Sequence, residues 1–169
     1  MIGTPPELVI VEDNAEDEIL TLAGIRKSGV ACNITVRRDG QEAVDHLLGL
    51  TEPPALVLLD FKLPKLNGLE VLTQIKLQER TRSVPVVIFS GTNVGSAIRD
   101  CYRIGANSCV TKPDDANDYV GLLTWITHYW LSVNRGPDDH SRLLSRRIYQ
   151  GLLEPPEADS ATQGASSCK

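Results

Sequence analysis

The sequence predicts an α/β fold in which one five-stranded parallel sheet is doubly wound, with helices on both faces. Uninterrupted apolar runs indicate strands that are buried on both faces, as in a parallel sheet. Five strand-like segments alternate with five segments of helical periodicity, which is typical of right-handed strand–helix–strand crossovers. Most of these strands end on polar residues, at the edge where open α/β sheets bind their ligands.

The predicted strands differ in strength. Three are continuous apolar runs, at Leu8–Val11, Leu56–Leu59 and Val84–Phe89. Two weaker segments, Asn33–Val36 and Ser108–Thr111, complete the sheet. Because the four apolar residues at Leu56–Leu59 run without a break and then stop at Asp60, we expect this strand to be central.

Capping signals predict where most of the helices begin. Asn14 precedes the first helix, and Asp114 or Asp115 precedes the last. Asp39 and Asn67 are each followed by a glutamate three residues later, which resembles a capping box. The fourth helix is predicted from its apolar spacing and from the glycine that follows it.

Length and composition indicate one domain with an appendage. Of the 169 residues, 7–131 form the predicted domain, 132–153 an extension with one short helix, and 154–169 a disordered tail rich in Pro, Ala and Ser. A net charge of -5 without a long basic patch argues against nucleic acid as a partner.

The compartment is predicted from the cysteines and from the apolar runs. The four cysteines have neither metal-binding spacing nor a CxxC pair, which favours free thiols in a reducing, cytoplasmic environment. The N-terminus lacks the features of a signal peptide. No apolar run approaches the ~20 residues of a membrane span, so we expect no membrane association.

Polar residues end four of the five predicted strands: Glu12 with Asp13, then Asp60, Ser90 and Lys112. In a parallel sheet these ends meet at one edge, where three carboxylates need a cation, and oxygen ligands favour Mg²⁺. Asp60 is then a nucleophile toward phosphorus that forms an aspartyl phosphate. Lys112 would balance the charge of the phosphoryl group, and the Ser90 hydroxyl would donate to one of its oxygens.

Taken singly, most of these residues have a structural alternative. Glu12 and Asp13 fit a helix start, Ser90 fits a turn, and Lys112 fits an exposed loop. Asp60 is harder to explain in this way, because four buried apolar residues lead into it. Their joint position at one edge favours chemistry.

Residues 7–131 resemble the receiver domain of two-component response regulators, which has the flavodoxin-like CheY fold. The matching pieces are Val-Glu-Asp-Asn at 11–14, Leu-Leu-Asp at 58–60, Leu-Pro at 63–64, Asn-Gly at 67–68, Phe-Ser-Gly at 89–91, Gly-Ala at 105–106 and Thr-Lys-Pro at 111–113. The steps of 30 residues from Asp60 to Ser90 and 22 from Ser90 to Lys112 also fit.

The resemblance implies a Mg²⁺ site around a phospho-accepting aspartate. Asp60 is the implied acceptor and also a metal ligand. Asp13 is implied to bind Mg²⁺ directly, Glu12 through water, and the main-chain carbonyl of Lys62 as a further protein ligand. Lys62 and Thr92 would flank the mouth of the site and tune the access of water.

The resemblance also implies how the phosphoryl group is contacted. Ser90 and Lys112 would bind it and reorganise on activation, and the Lys112–Pro113 bond would be cis. One departure is Cys109, because receivers usually carry an aromatic switch residue three positions before the lysine. A thiol cannot make that swing, so Ser90 and the loop after it would carry the signal. A redox role for Cys109 is a less favoured alternative.

A narrower resemblance concerns stand-alone regulators that pair with phytochrome histidine kinases. It rests on Leu-Pro-Lys-Leu-Asn-Gly-Leu-Glu-Val-Leu at 63–72, Gly-Ala-Asn at 105–107 and Tyr-Trp-Leu at 129–131. It implies a phytochrome kinase partner and a homodimer.

No output domain is predicted after Leu131, so the signal must leave through a surface. Trp125 and Tyr129 fall together on one flank of the last helix, whereas Trp130 is predicted to lie in the core. An exposed aromatic pair would indicate an interface, and the alternative is that the tail covers it.

The sequence thus predicts a single-domain response regulator, not an enzyme, that accepts a phosphoryl group from a histidine kinase. Two alternatives are a phosphate sink and a scaffold that never turns over phosphate. A haloacid-dehalogenase-type phosphatase is less favoured, because it needs a second aspartate where this chain has Lys62.

Overall fold

The computed structural model describes residues 5–91 and 95–135. The strands are β1 (Glu7–Val11), β2 (Asn33–Arg37), β3 (Leu56–Leu59), β4 (Val86–Ser90) and β5 (Ser108–Thr111). The helices are α1 (Ala15–Lys27), α2 (Gly40–Gly49), α3 (Gly68–Leu77), α4 (Gly95–Ile104) and α5 (Ala116–His128). Thr92 and the predicted disordered tail lie outside the described residues, as does all of the predicted extension beyond residue 135.

The five strands form one parallel sheet in the order β2-β1-β3-β4-β5, which confirms the predicted fold class. Because side chains alternate along a strand, each face of the sheet carries its own apolar cluster. Val9 and Leu59 belong to the cluster beneath α2, α3 and α4. Leu8 and Leu58 belong to the cluster beneath α1 and α5.

Side-chain caps fix the first turns of the helices on either side of the sheet. The Asn14 side chain accepts from two backbone N–H groups of α1, and Asp115 does the same for α5. Asn67 and Glu70 form a complete capping box at α3. Asp39 caps α2 by accepting from the backbone N–H of Glu42. These local bonds set where the loops that carry the site turn into helix.

Two predictions about the end of the domain are wrong. The last helix does not continue as an α-helix to Trp130, because α5 ends at His128 and a π-helical turn spans Tyr129–Val133. In that turn the Asn134 N–H donates to the Tyr129 carbonyl at 2.7 Å. The Lys112–Pro113 bond is trans, since the described residues contain no cis peptide bond. Trans is the isomer favoured by about 0.5–1 kcal/mol before proline.

None of the helices in the described part of the chain is both long and apolar enough to cross a membrane.

Candidate functional site

The carboxyl edge of the sheet brings together the predicted acidic residues. Val11 is paired with Leu59, so the residues that follow them, Glu12 and Asp60, leave the sheet side by side. Asp13 is exposed, whereas Glu12 and Asp60 are only 4% and 9% exposed. Carboxylate oxygens of these three residues lie within 4.8 Å of one another. The structure therefore confirms that they form one cluster.

Lys112 reaches this cluster from the end of β5. Its Nζ lies 2.5 Å from Glu12 Oε2, 2.5 Å from Asp60 Oδ2 and 2.8 Å from Asp17 Oδ2. The side chain is only 8% exposed. An ammonium group has three N–H donors, so all three are engaged by carboxylates.

Asp17 is the site residue that the sequence interpretation missed. It lies in the first turn of α1 beside Glu16 and Glu18, where acidic residues are expected because they favour the helix dipole. That ordinary explanation hid its contact with Lys112. No local signal distinguishes Asp17 from Glu16 and Glu18, because its partner Lys112 lies 95 positions further along the chain.

Burial and the ion pairs with Lys112 determine the electrostatics of the cluster. Burial raises the pKa of Glu12 to about 7, although its bond to Lys112 acts in the opposite direction. Burial alone would lower the pKa of Lys112, but its bonds to Asp17, Asp60 and Glu12 outweigh this and raise it. The lysine therefore stays charged. Several carboxylate oxygens converging on one point fit a hard divalent cation such as Mg²⁺.

The main chain fixes the position of the Asp60 carboxylate. Its Oδ1 accepts from the backbone N–H of Lys62 at 3.0 Å, and its Oδ2 faces Lys112. The start of α3 packs closely against the same loop. A Cβ added at Gly68 would lie 2.4 Å from the Asp60 carbonyl oxygen and 2.8 Å from the Cα of Phe61. One carboxylate oxygen is thus held by the loop, while the other faces a cation.

Ser90 ends β4 on the other side of the site. It is buried, it pairs with Thr111, and its carbonyl accepts from the backbone N–H of Lys112 at 3.0 Å. Ser90 also lines a cavity of about 20 Å³ together with Cys101 and Cys109. A cavity of this volume holds about one water molecule. Ser90 is therefore connected to the site through the main chain of Lys112, and it borders free volume.

Cys109 occupies the position where the family resemblance implies an aromatic residue. Burial raises the pKa of the Cys109 and Cys101 thiols, that of Cys101 to about 11, and the two thiols are hydrogen-bonded to each other. The Cys109 backbone N–H donates to the hydroxyl of Tyr102 at 3.2 Å. Thiols that stay protonated react slowly with oxidants, which favours a packing role over a redox role.

The aromatic side chains at the end of α5 divide as the sequence predicts. Trp125 and Tyr129 are 68% and 50% exposed. Trp130 packs against the core cluster beneath α1 and α5, and its ring meets that of Tyr129 edge-on at 5.2 Å. We call Trp125 and Tyr129 the aromatic patch.

A family model and a curated relative each match more than two thirds of the chain. The sequence model of the response regulator receiver domain matches residues 8–124. The probable methanogenesis regulatory protein FilR2 of Methanothrix harundinacea is 37% identical over 134 residues, which is 77% of this chain and 86% of FilR2.

Solved structures give the same result. The phosphorylated cyanobacterial phytochrome response regulator RcpA is 30% identical with a TM-score of 0.75, over 79% of this chain and 99% of RcpA. The Mn²⁺-bound response regulator Rcp1, a protein known from Synechocystis, is 28% identical with a TM-score of 0.74, over 79% of this chain and 99% of the other. The family match over residues 8–124 includes the edge that carries the acidic cluster.

Proposed function

The chain belongs to the response regulator receiver family, and from this premise we propose that it accepts a phosphoryl group from a sensor histidine kinase on Asp60. The observation that carries the proposal is the buried ammonium of Lys112 at 2.5 Å from the Asp60 carboxylate. A phytochrome is the kinase we favour, because RcpA, which is similar over 79% of this chain, is a phytochrome response regulator.

In the proposed reaction an Asp60 oxygen attacks the phosphorus of a phosphohistidine. The new O–P bond replaces the P–N bond, whose electron pair leaves with the imidazole. Lys112 and the Ser90 hydroxyl would bind the phosphoryl oxygens, where they stabilise the charge that the transfer places beside Asp60. The loop N–H of Lys62 holds the other carboxylate oxygen, so that the nucleophile is oriented before the donor arrives.

The acidic cluster is proposed to hold Mg²⁺. Glu12, Asp13 and Asp60 would contribute carboxylate oxygens, and Lys62 its main-chain carbonyl. When bound, the ion offsets the charge on the phosphoryl oxygens. The close approach of three carboxylates supports this assignment, and Rcp1 is similar and binds Mn²⁺.

The proposal places the protein in the cytoplasm as a non-enzymatic signalling module. Three free thiols in the described part of the chain fit a reducing compartment. A phosphatase that uses an aspartate nucleophile would need an acid at position 62, where the chain has an exposed lysine. A phosphate sink would share the chemistry of the site but would lack a surface that responds to it.

The test is a phosphorylation assay on the purified chain with Mg²⁺ and a small-molecule phosphodonor, followed by intact mass. We expect a gain of one phosphoryl group that disappears in Asp60→Asn and on chelation of Mg²⁺. Asp39→Asn is the matched control, because Asp39 is also buried and also pairs with a lysine, Lys65, at 2.6 Å. Asparagine caps a helix as well as aspartate does, so this control should fold and react.

Two results would contradict the proposal. A folded wild-type chain that gains nothing would contradict the phosphoacceptor function and favour the scaffold. A gain that persists in Asp60→Asn would place the acceptor elsewhere.

We further propose that the aromatic patch is the interface of a homodimer. Exposed aromatic side chains on a helix favour association, since burying them removes apolar area from water. Sedimentation velocity should show a wild-type dimer that Trp125→Ala weakens. Leu77→Ala is the control, because Leu77 is 76% exposed on α3, away from the patch. A chain that stays monomeric both before and after phosphorylation would contradict this interface.

A further inference from the structure

Asp17 contacts Lys112 but has no role in the phosphoryl transfer described above. Its Oδ2 lies 2.8 Å from Nζ, and its side chain is 28% exposed, more than that of either other partner of the ammonium. It comes from the first turn of α1, whereas Glu12 and Asp60 come from strand ends. Asp17 is also outside the group of three carboxylates that fits a cation.

The number of N–H donors on Lys112 limits how many oxygens its ammonium can bind. All three N–H bonds are engaged by carboxylates, so a phosphoryl oxygen can bind the ammonium only if one carboxylate gives way. Glu12 and Asp60 belong to the cation cluster, where an ion would compensate their charge. Asp17 lies outside that cluster, so its charge would not be compensated and its carboxylate would continue to attract Lys112.

The first turn of α1 is organised so that Asp17, and not its neighbours, reaches the lysine. The backbone N–H of Asp17 donates to the Asn14 side chain at 3.2 Å, which fixes the turn. Glu18 is held by Arg38 through two bonds of 2.8 and 2.9 Å. Glu16 is exposed. A general preference for acids at a helix start does not explain a contact with a buried ammonium.

We propose that Asp17 is a positioning residue that retains Lys112 in the unphosphorylated state and competes with the incoming phosphoryl group for it. This inference rests on the proposed function of Asp60. Asp17 acts through Lys112 and does not touch the phosphoryl group itself.

The test compares the rate of phosphoryl gain in Asp17→Asn with that in the wild type, using a small-molecule phosphodonor and Mg²⁺. Loss of one charged competitor should raise the rate roughly threefold to tenfold, because charge-assisted bonds are stronger than neutral ones. Glu16→Gln is the matched control, since it removes the same charge from the same helical turn but leaves Lys112 untouched. Its rate should equal that of the wild type. Asp17→Glu restores a carboxylate and should return the rate toward the wild-type value.

The outcomes separate this inference from the proposed function. If the wild type is phosphorylated and Asp17→Asn reacts at the same rate or more slowly, the proposal that Asp17 retains Lys112 is wrong. The receiver function is unaffected by that result. A purely structural role would give that result together with a lower melting temperature. If the folded wild type gains no phosphoryl group, both the function and the retention are wrong.

Discussion

At the ends of β1 and β3 the site is charged and closely packed, whereas at the ends of β4 and β5 it borders a cavity and uses smaller groups. Glu12 and Asp60 are buried, and a loop N–H and Lys112 hold the Asp60 carboxylate. Ser90 and Cys109, by contrast, line free volume of about 20 Å³. Lys112 connects the two halves, because it follows β5 but its ammonium lies among the acids of the other side.

This difference separates the groups that react from those that can rearrange. Fixed charges favour chemistry, since they need no reorganisation when charge develops on the substrate. Free volume next to Ser90 lets a small side chain change its position without displacing a packed neighbour. In the proposed receiver, the acids of the β1–β3 half would supply the nucleophile and hold the cation, whereas Ser90 in the β4–β5 half would bind the phosphoryl group and change its position in response.

The largest expected effect comes from replacing Lys112, whose side chain connects the two halves of the site. Lys112→Met should lower the free energy of unfolding by about 3 kcal/mol without metal, because Glu12 and Asp60 stay buried without their cation. Added Mg²⁺ should recover part of the loss by restoring positive charge. Chemical denaturation in chelator and in Mg²⁺ measures both quantities.

Lys65→Met is the control for that experiment. Lys65 also pairs with a carboxylate at 2.6 Å, but its side chain is 61% exposed. Exposed pairs contribute less, so we expect a clearly smaller loss than in Lys112→Met. Equal losses in the two variants would show that the charges at the site are no more tightly coupled than surface charges.

A backbone substitution tests the packing of the two halves. Gly68→Ala should cost about 2–3 kcal/mol, because the new Cβ would lie 2.4 Å from the Asp60 carbonyl oxygen and the loop must move. Gly91→Ala is the counterpart after β4, where the nearest atom is the Lys112 Cδ at 4.0 Å. We expect it to change stability by less than about 0.5 kcal/mol. Thermal denaturation of both variants measures the difference, and similar costs would contradict the contrast in packing.

Local signals in the sequence account for most of the fold and for the meeting of the acids. Apolar runs and caps act over a few residues, so β3, the Asn67 capping box and the strand-end position of Asp60 were predictable. The contact between Asp17 and Lys112 joins residues 95 positions apart, and no local pattern encodes it. The π-helical turn at Tyr129–Val133 was missed because its apolar spacing also fits an α-helix.

A smaller effect is expected at the cavity itself. Cys101→Ala enlarges it and removes a buried thiol, which should cost about 1 kcal/mol of stability. Because Cys101 is not among the groups proposed to contact the phosphoryl group, the rate of phosphorylation by a small-molecule donor should stay within about twofold. Cys32→Ala is the control, as Cys32 is a free thiol outside the cavity. A tenfold slower reaction in Cys101→Ala alone would show that packing around the cavity contributes to the chemistry.

The smallest expected effect concerns a buried hydroxyl that lacks a hydrogen-bond partner, compared with one that has a partner. Thr127 on α5 is fully buried, and its Oγ1 has no hydrogen-bond partner in the described part of the chain. An unsatisfied buried hydroxyl destabilises the fold, so Thr127→Val should stabilise it by about 0.5 kcal/mol. Thr21→Val is the counterpart, because the Thr21 hydroxyl pairs with that of Tyr119 at 3.2 Å. Its loss leaves a buried phenol without that partner and should destabilise by about 1 kcal/mol. If thermal denaturation shows that Thr127→Val stabilises and Thr21→Val destabilises, then the pairing of a buried polar group, and not its burial alone, determines its contribution to stability. A loss of stability in both variants would mean that the Thr127 hydroxyl has a hydrogen-bond partner in solution.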